Sequence, residues 1–212
     1  MRSVALVGPD GSGKTTVARQ VVAELPGVAY LYAGTNPDMG ARMLPTTRLA
    51  VLLRGGVSHG RPAATRPSSF RGSAVSWLRT LVWLTEELAR GRQARRLARS
   101  ARLVLRDRDF LVDRLAAGGP QPLYEQFHRW ALARWYPRPD RTIVLDVPGA
   151  VAFERKREVT VEELERRREG YLALRHVLPL VSVVDAGRPT DDVVDAVVEI
   201  LLRDLAEPGA RS

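Results

Sequence analysis

Short, almost wholly apolar runs alternate along this chain with longer stretches in which apolar positions recur every three or four residues. The runs at 4–8, 28–33 ("VAYLYA"), 103–107 ("LVLRD"), 142–147 ("TIVLDV") and 180–185 ("LVSVVD") have the length and β-branched content of buried strands. Between them, helical spacing predicts a helix over 15–25 that Pro26-Gly27 stops. A long helix follows from residue 74, with Ala74, Trp77, Leu78, Leu81, Leu84 and Leu88 on one stripe. Arg92, Arg95, Arg96 and Arg99 share a face of its continuation or of a second helix. More helix is expected over 124–135 and 191–205, and over 160–176, where Thr160 and Glu163 form a capping box. Residues 34–73 break the rhythm. They are rich in Gly, Pro, Arg and Ser, with a short helical interlude at 47–53, and 54–73 reads as a flexible insertion. The last residues, 207–212, read as a disordered tail.

Strands fully apolar on both sides, each followed by a helix, imply a parallel sheet with helices on both faces. At 212 residues, of which 45% are hydrophobic, the chain is long enough to bury a core in one domain, placed here at 1–206. It has no cysteine and three histidines, which excludes a disulfide framework and a thiolate metal site. No apolar run approaches the length of a membrane span, and the first one is too short for a leader, so a cytoplasmic protein is expected.

The net charge is +9, and of 33 basic residues only Lys14 and Lys156 are lysines. An arginine surplus of that kind is chiefly a compositional habit, although guanidinium forks suit polyanions.

Candidate chemistry is concentrated at the first strand–helix turn. "GPDGSGKTT" carries Gly8-x4-Gly13-Lys14-Thr15, the P-loop pattern, with a strand before it and a helix after it. Glycines let successive backbone N–H groups turn inward around a phosphate, and the helix N-terminus adds its partial positive charge. Gly8, Asp10, Gly11, Ser12, Gly13, Lys14, Thr15 and Thr16 are therefore candidate nucleotide-binding residues. Lys14 would bridge the β- and γ-phosphates of ATP, and the Thr15 hydroxyl would ligate Mg²⁺. The chain has no Asn-Lys-x-Asp stretch of the kind that reads guanine. It has instead "RDRDF", at the end of the third strand.

Taken together, "GPDGSGKTT", "LRDRD", the segment "PDRTIVLDVPGAVAFERKREVTVEELERRREGYLAL" and "VVDAGRP" resemble the thymidylate kinase family of P-loop nucleoside monophosphate kinases. The likeness covers residues 1–33 and 100–205. It implies a three-layer α/β/α P-loop fold with a five-stranded parallel sheet and a small basic lid, here at 153–169, and ATP with Mg²⁺. It also implies that Asp10 contacts the acceptor's sugar hydroxyl. Asp107 would hold Mg²⁺ or orient the acceptor, and Arg108 would clamp a phosphate. Where some members carry a P-loop arginine this chain has Gly11, so the catalytic arginine is expected from the lid, at Arg155 or Arg157. Arg166, Arg167 and Arg168 follow on the next helix and cannot all point one way. The "DAGRP" stretch, with Arg188, falls where the family borders adenine.

The acceptor side departs from the family. The usual Arg-Glu-Pro after the second strand is absent, leaving Arg42 and Arg48 nearby. On the long helix Glu86 stands near the place of an acceptor-binding arginine, with Arg90 one turn away. Asp109 replaces the common aromatic residue. The expected activity is transfer of the ATP γ-phosphate to a nucleoside monophosphate or a related small acceptor. Members of the family often pair through helices, and Trp77, Leu81 and Trp83 offer a homodimer seam of that kind, although core packing explains them at least as well. The rival is a P-loop ATPase that switches a protein or nucleic-acid partner. It rests on the arginines of 54–71 and 92–99, and the scarcity of aromatic residues among them argues against single-strand binding.

Overall fold

A computed structural model describes residues 2–34, 70–117 and 122–206 of the chain. The expectations for 47–53, for 54–69 and for the tail 207–212 fall outside those residues, as do Arg42 and Arg48. Five strands form one parallel sheet: β1 Ser3–Val7, β2 Val28–Tyr32, β3 Leu103–Asp107, β4 Arg141–Asp146 and β5 Val181–Asp185. Their spatial order is β2-β3-β1-β4-β5. The described helices are α1 Lys14–Glu24, α2 Phe70–Ser100, α3 Phe110–Ala117, α4 Leu123–Trp135, α5 Gly149–Arg155, α6 Val161–Ala173 and α7 Thr190–Ala206, with a 3₁₀ turn at Leu174–His176.

The chain divides into two compact units. One comprises Met1–Gly34, Gln93–Gly119 and Pro137–Ser212, and holds the sheet. β1 lies at its centre, buried at every position. Strand alternation sends Val4 and Leu6 to one face, against Val17 and Val21 of α1 and Val193, Val197 and Leu201 of α7. Ala5 and Val7 point the other way, onto Val112 of α3 and Tyr171 of α6. Both faces of β1 are thus covered, which is why it reads as an unbroken apolar run, whereas β5 at the sheet edge leaves Val183 45% exposed. Burying each Val or Leu side chain contributes about 1.5–3 kcal/mol. Strand order turns about β1, so the P-loop at its C-terminal end sits where α/β sheets bind ligands.

The second unit comprises Thr35–Arg92 and Pro120–Tyr136. Within it Trp77 of α2 packs on Tyr124 and Phe127 of α4, and the ring series continues through Trp130 to Trp135. Buried ion pairs join Glu86 to Arg90 and Glu87 to His128.

Three expectations are corrected. Residues 70–73 open α2 rather than close an insertion, and α2 runs unbroken through Arg99. α3 and α5 were not anticipated. Asp109 turns out to be the cap of α3, its Oδ1 accepting from the N–H groups of Leu111 and Val112 at 3.1 and 3.2 Å. The 160–176 helix ends at Ala173 and tightens into the 3₁₀ turn. Its cap is as expected, with the Thr160 hydroxyl accepting from Glu163 N–H at 3.4 Å.

Candidate active site

The loop between β1 and α1 curls around its own lysine. Lys14 is buried, and its Nζ donates to the carbonyls of Gly8 (2.9 Å) and Pro9 (2.7 Å) and to Ser12 Oγ (3.3 Å). Burial is the chief reason its ammonium titrates low, at about 8. Arg108 pushes in the same direction, while Asp10, Asp113 and Asp107 oppose both. Gly11 cannot be replaced without movement: its φ is +87°, and an added Cβ would stand 2.4 Å from the Ala152 carbonyl of α5. Thr15 is half-buried and Thr16 exposed on the first turn of α1.

Asp10 is the hub of the site. Its Oδ1 accepts from Arg108 Nη2 at 2.5 Å and its Oδ2 from Arg167 Nη1 at 2.6 Å. Burial alone would raise its pKa, but Arg108, Lys14 and Arg167 outweigh it and hold the carboxyl below its ordinary value. Arg108 has φ 71°, the left-handed region that costs a side-chain-bearing residue about 1–3 kcal/mol. Burial disfavours its charge, and the carboxylates of Asp10 and Asp113 more than offset that, so its guanidinium stays protonated.

Asp107 lies at the end of β3, fully buried. Its Oδ2 accepts from Tyr30 Oη at 2.8 Å, while its Oδ1 has no hydrogen-bond partner. Burial and that carboxylate push the Tyr30 phenol well above its ordinary range. A buried carboxylate oxygen without a donor is costly. It is the kind of oxygen a cation accepts, so the donor set of Asp107 and the Thr15 hydroxyl fits a hard divalent ion.

The lid arginines separate. Arg155 Nη1 donates to the Ala186 carbonyl beside β5 at 2.9 Å, and Arg157 is exposed. Arg166 pairs with Glu163 on the surface. Arg168 reaches Asp146 at the end of β4 and Glu165 on its own helix. Arg167 is the one that reaches the P-loop, shared between Asp10 and Glu163. Arg188 is exposed in the turn after β5, where Asp185 Oδ1 accepts from Gly187 N–H. Arg90 belongs to the second unit, buried against Glu86 at 3.1 Å.

Among these charged groups, the structure therefore brings Lys14, Asp10, Asp107 and Arg108 together around one loop and adds Arg167 to them. It also adds two residues the sequence reading missed. Tyr171 Oη donates to Asp113 Oδ1 at 2.9 Å, and Asp113 acts electrostatically on both Lys14 and Arg108. Arg167 and Tyr171 share a helix face by their spacing of four, and Asp113 lies one turn beyond the α3 cap. Those were the only signals the sequence carried for them.

No protein-family model matches the chain. Among curated proteins it is similar to a thymidylate kinase of Xylella fastidiosa (strain 9a5c), 30% identical over 211 residues that span 94% of this chain and 89% of the relative. A probable thymidylate kinase of Pyrobaculum calidifontis is 31% identical over 212 residues, spanning 96% of this chain and 97% of that one. Among solved structures it is similar to a deoxyadenosine kinase from M. mycoides with dCMP and a flexible dCDP bound. That likeness has a TM-score of 0.57 at 16% identity, covers 95% and 99% of the two chains, and concerns the fold.

Proposed function

The chain belongs to the thymidylate kinase family and is an ATP-dependent kinase, and from that premise we propose that it phosphorylates a nucleoside monophosphate, with dTMP the first acceptor to try. The observation that carries the proposal is the convergence of Lys14, Arg108 and Arg167 on the P-loop carboxylate Asp10. Phosphoryl transfer needs alignment and positive charge on the moving group more than covalent help. Three cationic side chains around one loop supply both.

In this reading Lys14 exchanges the Gly8 and Pro9 carbonyls for phosphate oxygens of ATP, while backbone N–H groups of residues 10–16 line the triphosphate. Thr15 and Asp107 would hold Mg²⁺, which supplies charge neutralisation between the phosphates when bound. Arg108 clamps the acceptor or the transferring phosphate. Arg167 takes the role expected of Arg155 or Arg157, because those two side chains are engaged at Ala186 and exposed, respectively. Arg188 borders the base of ATP. Asp10 has both oxygens engaged by arginines, so a sugar hydroxyl would reach it by displacing one of them. Arg42 and Arg48 remain acceptor candidates, whereas Arg90 serves its buried pair with Glu86.

ATP as donor suits a cytoplasmic enzyme. We place a homodimer seam on the α2 face with Leu78 and Leu81, which are 65% and 47% exposed, whereas Trp77 packs within its own unit; light scattering at several concentrations checks it. The activity itself is tested by coupled ADP release across dTMP, dUMP, other nucleoside monophosphates, nucleosides and phosphosugars. Turnover with a monophosphate well above hydrolysis by water alone is expected. No acceptor raising ADP release above that background would overturn the proposal.

A further inference from the structure

Helix α6 touches the site at two points four residues apart. Arg167 donates to Asp10 of the P-loop at 2.6 Å, and Tyr171 donates to Asp113 of α3 at 2.9 Å. Between them Gly170 lets α6 approach α3 backbone to backbone: a Cβ there would meet the Ala116 carbonyl at 2.2 Å. Of the carboxylates that α6 engages, Asp10 and Asp113 are two that act on Arg108. Asp10 does so by a direct bond, and Asp113 by its charge. Arg108 itself stands in a left-handed backbone conformation, which surrounding contacts must hold.

We propose that Asp113, oriented by the Tyr171 hydroxyl, is a positioning residue for Arg108, and that with Asp10 it fixes the Arg108 guanidinium at the phosphate end of the P-loop. Seating of α6 and readiness of Arg108 are then one event, because the same helix face engages both carboxylates. The inference rests on the reading of Arg108 as the phosphate clamp.

Chemistry favours this over a merely structural pair. If Tyr171 needed only an acceptor, a neutral amide would serve it equally well. The structure instead places a carboxylate where burial penalises its charge and pushes its pKa up to about 6. The groups that face it are Arg108 from the β3–α3 turn, Tyr171 from α6, Lys14 from α1 and Asp109 from the α3 cap. The first three favour the charged form and Asp109 opposes it. A costly charge kept beside Arg108 is accounted for if Arg108 is what it serves.

The test compares wild type with Asp113→Asn, Tyr171→Phe and Arg108→Ala, using Mg·ATP with dTMP, alongside ATP affinity by calorimetry and crystal structures of the first two variants. Asparagine keeps the acceptor for Tyr171, so Asp113→Asn folds. Its kcat is expected to fall about tenfold with the KM for ATP within twofold. The ratio of wild type to Asp113→Asn, from which titration of the acceptor phosphate cancels, is expected to be large above pH 6. It falls toward one below pH 6, where wild-type Asp113 takes up its proton. In the crystals Arg108 leaves Asp10, a result that needs no acceptor. Arg108 unmoved in both variants, or an unchanged kcat for Asp113→Asn at every pH while Arg108→Ala loses a hundredfold, overturns the positioning role and leaves the clamp reading standing. Normal turnover by Arg108→Ala removes the clamp reading, and this inference with it.

Discussion

The helical unit and the P-loop of the sheet unit handle charge in opposite ways, although the sheet unit has a closed buried pair of its own in Arg106 and Asp109. In the helical unit Glu86 pairs with Arg90 one turn away, and Glu87 with His128, all four buried. In the sheet unit Asp10 draws on Arg108 and Arg167, 98 and 157 residues away, and these side chains keep between 17% and 32% of their surface exposed. The first arrangement is closed. The second is held together by partners that an incoming anion can replace, around a residue in a strained backbone conformation. Cationic groups gathered on a single carboxylate at the strand–helix turn before α1 are poised to exchange it for phosphate. The contrast teaches which arginines of an arginine-rich chain to assign to chemistry: those with exchangeable partners at a ligand-binding end of the sheet.

Substitutions sharpen that contrast. Arg90→Ala should act on folding, losing about 3–5 kcal/mol because Glu86 is left buried without its guanidinium. Denaturant unfolding reads that loss, and turnover per folded molecule should hardly change. Lys14→Ala should do the reverse, cutting kcat by about 10²–10³. Its unfolding midpoint should stay close to that of wild type, because removing a buried cation also removes the penalty for burying it. Were Lys14→Ala to keep its turnover, or Arg90→Ala to lose turnover without losing stability, the division between the regions would be wrong. Thr160→Ala should cost about 0.5–1 kcal/mol, the low end for a cap, because its hydrogen bond is long at 3.4 Å. Arg157→Ala should change kcat less than twofold in the ADP-release assay, since its side chain lies in solvent.

Much of the fold was legible because burial on both faces forces apolar runs. β3 falls at Leu103–Asp107 as expected, and the other four strands are displaced by one residue at one or both ends. α3 escaped because only two residues separate it from β3, and Asp109 stands beside the Asp-Arg pair, which hides its part as the cap of Phe110, Leu111 and Val112. α5 is seven residues long, opens with a glycine after Pro148, and has no side-chain cap to announce it. At the site, the P-loop was legible because its pattern is local. The partners of Asp10 were less so: a run of three arginines at 166–168 faces three directions, and only tertiary packing selects Arg167. Asp113 and Tyr171 lie 58 residues apart, and no spacing rule joins them.

The most direct measurement is a crystal structure with Mg²⁺ and a non-hydrolysable ATP analogue. The triphosphate is expected inside the loop of residues 8–16, with Lys14 Nζ transferred from the Gly8 and Pro9 carbonyls to phosphate oxygens and Arg108 or Arg167 turned toward the terminal phosphate. A triphosphate bound elsewhere, with Lys14 still on those two carbonyls and both arginines still on Asp10, would contradict that expectation.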